Sequence, residues 1–129
     1  MRITASAISL NVEDIAASSE FLTSHFGFRE AMSADGFVSL ARDDAGMNVV
    51  FLRRGLAMLP DDQRDDHADG VIIAFVVDDL EGELARLTRE GVPITMPLRA
   101  EPWGERAFQV TDPNGVIVEL VDWNAPVTS

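Results

Sequence analysis

The sequence predicts an α+β chain in which one unit, opening with a strand and a helix, occurs twice. Two observations carry this. "AISLNVEDIAASSEFLTSHFGF", from Ala7, and "IIAFVVDDLEGELARLTREGVPI", from Ile72, each give a short strand, an acidic pair and an amphipathic helix. Each is followed by strand-like segments around a Gly-containing turn, "DDAG" in the first half and "DPNG" in the second.

The elements follow in order. The first strand begins at Ala7, and the helix after it is expected to bury Ile15, Phe21 and Leu22 before Gly27 stops it. "GFVSLARDDAGMNVVFLRR" then supplies strands on either side of the first turn. Residues 55–70, "GLAMLPDDQRDDHADG", are acidic and turn-rich and read as a surface linker, with Leu56, Met58 and Leu59 apolar enough to pack. In the second half Leu80, Leu84 and Leu87 recur at helical spacing, and Gly91 then Pro93 end the helix. "RAFQVTDPNGVIVELVDW" completes the second half. The two turns match when Asp44 is set against Asp112. The unit is therefore a strand, a helix and two or three further strands.

Composition narrows the function. The 129 residues fit one compact domain, and 47% apolar residues suffice for a core. With 22 acidic against 10 basic residues the net charge is −12, which repels nucleic acid and anionic membranes. There are no cysteines, so disulfides, thiolate metal sites and cysteine nucleophiles are excluded, and a reducing cytoplasm is the expected location. The N-terminus lacks the apolar run of a signal peptide, and no segment reaches the ~18 apolar residues of a membrane span.

One residue stands out in "VIVELVDW". Glu119 sits among Val116, Ile117, Val118, Leu120 and Val121. A carboxylate in such a run is costly without a partner. It reads as a metal ligand, a catalytic base or an exposed strand residue.

Together these features resemble the vicinal oxygen chelate superfamily, which includes glyoxalase I, extradiol dioxygenases, fosfomycin-resistance enzymes and bleomycin-resistance binding proteins. The resemblance covers nearly the whole chain and is strongest in "LNVEDIAASSEFLTSHFGF" and "DPNGVIVELVDW". It implies two βαβββ modules forming a curved, cup-shaped mixed β-sheet with helices outside. The implied organisation is a single domain over 1–129, with a first module over about 1–55, a linker over 56–70 and a second module over about 71–124. It also implies a homodimer.

In metal-dependent members of that superfamily, four strand residues hold a divalent ion in the cup. Those positions fall here on Ala7, Phe51, Ile72 and Glu119. A divalent ion needs several oxygen or nitrogen donors converging at about 2 Å, and one of these four supplies a donor. No metal and no other cofactor is therefore expected. His25 closes the first helix, where a cation suits the helix dipole, and His67 falls in the acidic linker.

Strand alternation extends the implied site, since residues two apart share a face. The lining expected on this basis is Ala7, Ser9 and Asn11; Val49, Phe51 and Arg53; Ile72, Ala74 and Val76; and Ile117, Glu119, Val121 and Trp123. Substrate-contacting offsets in the fosfomycin-resistance enzymes add Gln109, Ala107 and Trp103, and the repeat carries that register to Ala41, Ser39 and Phe37. Arg106 is expected to point away from the cup. A mostly apolar, aromatic lining with a few polar groups is typical of a small-molecule pocket. The same alternation also describes simple core packing.

The expected function is non-catalytic binding and sequestration of a small aromatic compound, an antibiotic, conferring drug resistance. The alternative is a metal-independent isomerase or lyase with Glu119 as general base and Gln109 or Asn11 stabilising an oxyanion. An accessory ligand-binding role is a third. No nucleophile elbow, phosphate loop or dinucleotide fingerprint supports other chemistry.

Overall fold

The structure, a computed structural model, describes residues 1–123. The expected end of the second module, residue 124, lies outside the described residues. The elements are β1 (Ala7–Val12), α1 (Ile15–Phe26), β2 (Arg29–Ala34), β3 (Phe37–Ala41), β4 (Asn48–Arg53), β5 (Ile72–Val76), α2 (Leu80–Arg89), β6 (Ile94–Ala100), β7 (Glu105–Thr111) and β8 (Ile117–Trp123). This is βαβββ used twice, and the chain divides into two compact units after Asp69.

Each unit is one four-stranded mixed sheet. The first has the order β1-β4-β3-β2, with β1 parallel to β4 and the other pairs antiparallel. The second repeats this as β5-β8-β7-β6. Strand β2 carries little alternation to read, whereas β6 alternates half-buried Ile94, Met96 and Leu98 with exposed Thr95, Pro97 and Arg99. Residues 29–34 are all exposed, and β6 contains Pro97 and irregular pairing to β7. Both are edge strands, where such sequences are tolerated.

The acidic pair before each helix has a local cause. Its second member is the N-cap: Asp14 accepts from the Ala17 N–H at 3.1 Å, and Asp79 accepts from the Gly82 N–H at 3.1 Å. Gly27, at φ 69°, ends α1 in the left-handed conformation. The buried stripe of α1 is Ser18, Leu22 and Phe26, while Ile15 and Phe21 are half-buried. Those three recur four residues apart, and a serine in the stripe hid it from an apolar count. In α2, Leu80 and Leu87 are buried and Leu84 is half-buried.

The helix covers one face of each sheet. Helix α1 packs on β3 and β4, and α2 packs on β8. The register places Leu10, Phe51 and Val38 side by side, and likewise Ile8, Val49 and Leu40. In the second unit Phe75, Leu120 and Phe108 align, as do Ile73, Val118 and Val110. The central members of these rows are buried and form the two cores. Arg106 lies on this same face of the second unit, donating to Glu81 of α2 at 2.6 Å and to Asp122 of β8 at 2.6 Å. The hydrogen bond from Arg106 holds the Glu81 carboxyl below its usual range. The DPNG turn is closed by Asp112, whose Oδ1 accepts the N–H groups of Asn114 and Val116, both at 2.8 Å, while Gly115 takes φ 86°.

Residues 54–71 connect the units, and their return is tied to β1. Asn11 Nδ2 donates to the carbonyls of Arg64 at 3.3 Å and Asp66 at 3.0 Å, and the Asn11 carbonyl accepts the Ala68 N–H at 2.7 Å. Among the described residues no helix is long and apolar enough to cross a membrane. Because the Asn11 amide is buried and spent on this segment, Asn11→Ala removes both of its hydrogen bonds, leaving the Arg64 carbonyl with the Gly55 N–H alone and the Asp66 carbonyl without this donor. We expect it to lower the unfolding free energy by about 1–3 kcal/mol in urea denaturation and to speed proteolysis within 54–71. Unchanged proteolysis would show that the tether does not hold the segment.

Candidate functional site

The face of each sheet turned away from its helix is the candidate site, and the register fixes its members. In the second unit Ala74, Glu119 and Gln109 form one row, Val76, Val121 and Ala107 the next, and Glu105 with Trp123 a third. Ile72, Ile117 and Thr111 form a row on the other side of Glu119. These rows bring together the second-unit residues expected to line the site. Arg99 and Met96 of β6 share this face, since they pair with Ala107 and Gln109.

Glu119 has a partner. Gln109 Nε2 donates to Glu119 Oε2 at 2.9 Å, and both side chains are half-buried. On the β5 side Glu119 has Ala74 as its row neighbour, a single methyl group. The amide satisfies one carboxylate oxygen and supplies no positive charge. Among the described residues no arginine or histidine pairs with Glu119.

Two indoles lie toward one end of this face. Trp103 stands in the turn between β6 and β7 and is 58% exposed, and Trp123 is 55% exposed. The Trp103 Nε1–H donates to Glu105 Oε1 at 3.0 Å, which ties it to the row that holds Trp123. Ile72 and Val76 on edge strand β5 are also exposed. A Trp held by its N–H with its ring in solvent offers a large, pre-oriented contact surface. Glu105 was missed in the sequence. Its signal was the alternation Glu105, Ala107, Gln109, extended one step before the expected offsets.

In the first unit the face opposite the helix carries Ala7, Ser9 and Asn11 on β1, Phe37, Ser39 and Ala41 on β3, and Asn48, Val50 and Leu52 on β4, of which Asn11, Ala41, Val50 and Leu52 are buried. Three expected residues are corrected. Val49, Phe51 and Arg53 have the opposite phase and lie on the helix face. Val49 and Phe51 are core, and Phe51 is 1% exposed. Arg53 pairs with Asp35 at 3.2 Å at the strand end. The cause is turn length. Six residues, 42–47, join β3 to β4, whereas five, 112–116, join β7 to β8. Setting Asp44 against Asp112 keeps the phase of β3 and inverts that of β4. Counted back from β4, the equivalent of Asp112 is Asp43, and the equivalent of Glu119 is Val50. A one-residue slip moves every side chain to the other face. Asn11 keeps the expected phase, but its amide is occupied by the Arg64 and Asp66 carbonyls.

The corrected set of four positions is Ala7, Val50, Ile72 and Glu119. Three side chains are hydrocarbon, so the residues present do not fit a divalent ion. Among the described residues no group of three or more His, Cys, Asp or Glu is placed to hold one. His67 Nδ1–H donates to the Ala68 carbonyl at 2.9 Å, and His25 meets Phe21 edge-on at 5.4 Å.

The family model described as the glyoxalase/bleomycin resistance protein/dioxygenase superfamily matches residues 4–120. No curated protein matches this chain. Among solved structures, a glyoxalase/bleomycin resistance protein/dioxygenase from Nocardioides is similar with a TM-score of 0.75 at 20% identity, covering 99% of this chain and 88% of that one. TioX from Micromonospora sp. ML1 is similar with a TM-score of 0.70 at 25% identity, covering 94% and 99%. Lactoylglutathione lyase from Agrobacterium tumefaciens is similar with a TM-score of 0.73 at 18% identity, covering 95% and 96%.

The register makes a direct prediction. Phe51→Ala costs about 3–5 kcal/mol of stability, as a core deletion does. Phe51→Cys, the sole thiol in the chain, stays unlabelled by a thiol reagent until the protein unfolds. Rapid labelling of the native variant would return Phe51 to the open face.

Proposed function

This chain belongs to the glyoxalase/bleomycin resistance protein/dioxygenase superfamily, and we propose that it binds a small, largely apolar aromatic compound, an antibiotic, and sequesters it without a metal ion. One observation carries the proposal. The open face of the second sheet presents two exposed indoles at one end and a Gln109-braced Glu119 further along it, while the superfamily's other three metal positions hold Ala7, Val50 and Ile72. Rings supply contact area, and the polar pair orients a ligand by hydrogen bonding. Protection is then mass action, because bound compound is removed from the free pool. The fold itself is silent on this point, since a similar structure carries the name of a lyase.

A homodimer forms part of the same proposal. Ile72 and Val76 are exposed on an edge strand, an arrangement that a second copy relieves by covering it. A second reading makes Glu119 the general base of a metal-independent isomerase or lyase. It draws on the Gln109 hydrogen bond, which fixes the carboxylate for proton abstraction.

Both readings are tested by titrating metal-stripped protein with aromatic antibiotics and following tryptophan fluorescence. Saturable quenching with the compound recovered unchanged is the expected result. Conversion of the compound would replace sequestration by catalysis. Trp103→Ala should weaken binding by at least about 1 kcal/mol if its ring contacts the ligand. An unchanged Kd would remove Trp103 from the site.

A further inference from the structure

Resting on that binding reading, we infer that the ligand is an elongated aromatic cation, with its rings at Trp103 and Trp123 and a protonated nitrogen at Glu119. The open face of the second sheet is laid out as a lane. Glu119 and Trp123 lie on the same face of β8, four residues apart, or about 13 Å at the rise of an extended strand. Val121 and Ala107 form the row between them and are buried, so the surface a ligand meets lies at the two ends. The lane therefore has an aromatic end and a charged end.

Among the described residues no arginine or histidine balances the charge at that end. Elsewhere several arginines are matched to carboxylates, as Arg106 is to Glu81 and Asp122, and Arg99, on this face, is to Glu101 at 2.6 Å. Glu105, the other carboxylate of β7 on this face, already accepts from the Trp103 indole. Glu119 receives one hydrogen bond, from a neutral amide, and has a methyl group on its other side. A half-buried carboxylate on an apolar face gains most from a partner that brings positive charge and a donor together. Ammonium groups and aromatic rings also suit each other, so a ligand amine is tolerated anywhere along the Trp end. A neutral ligand leaves Glu119 desolvated and uncompensated, and an anionic one is repelled by it and by the net charge of −12.

The test uses two probes of one shape. The first is anthracene carrying a dimethylaminobutyl tail, which is protonated at neutral pH. The second is anthracene carrying a 5-methylhexyl tail, in which a CH replaces that nitrogen. Tryptophan quenching should give the cationic probe an affinity at least tenfold the higher, a preference falling below threefold in Glu119→Gln. On the unmodified protein, raising ionic strength from about 0.01 M to about 1 M should weaken the cationic probe and spare the neutral one, because screening shortens from roughly 30 Å to roughly 3 Å. The salt arm stands even if Glu119→Gln does not fold. Equal binding of the two probes, or a preference retained in a folded Glu119→Gln, overturns the cation assignment and leaves aromatic binding intact. No quenching by either probe or by any aromatic antibiotic overturns the binding reading itself.

Discussion

The period of two along a β-strand is the constraint on which each unit rests. A single helix covers one face of each four-stranded sheet, so every strand residue points either to the helix or to the face opposite it. The central strands β4 and β8 feel this most, because they have neighbours on both sides. Leu120 and Val118 of β8 are buried, and Glu119 between them must emerge opposite. Its position is therefore a consequence of how its two neighbours pack. The same holds in the first unit, where Phe51 and Val49 fill the core and Val50 takes the place of Glu119.

Much of this was legible in the sequence where local chemistry and alternation agreed. The acidic pairs announced both helices because an N-cap needs a short carboxylate just before the first turn. The second open face was legible residue by residue, because "DPNG" is a five-residue connection closed by Asp112, and phase can be counted across it in either direction. The first open face was half legible. Its β3 members follow from the turn, but one additional residue between β3 and β4 inverts the phase beyond it, and nothing in "RDDAGM" marks which residue is extra. Strand β2 gave a weak signal for another reason. It is an edge strand with every residue exposed, so no buried face imposes alternation on it.

Side-chain partnerships were the illegible part. A sequence shows that Asn11 has the phase of the open face, but not that the chain returns some fifty-five residues later to use its amide. Nor does it show that Gln109 and Glu119 are direct cross-strand neighbours. That follows only from the antiparallel register of β7 and β8. Polar residues in a strand have a ligand, a loop or each other as partners, and only the fold tells these apart.

The two units, built on one plan, have diverged at their open faces. The row that is Ala74, Glu119 and Gln109 in the second is Ser9, Val50 and Ser39 in the first. The helix faces kept large apolar residues in both, because a core tolerates little change in volume. The opposite faces are mixed: Val50, Leu52, Ala107 and Val121 are buried there, while Ile72, Val76 and Trp123 are exposed. With Ala7, Val50 and Ile72 at three of the four positions, Glu119 is the one carboxylate of the set. Glu119 is half-buried and braced by an amide, so part of its charge is satisfied within the sheet and part faces water, and the proposed ligand would act on that second part.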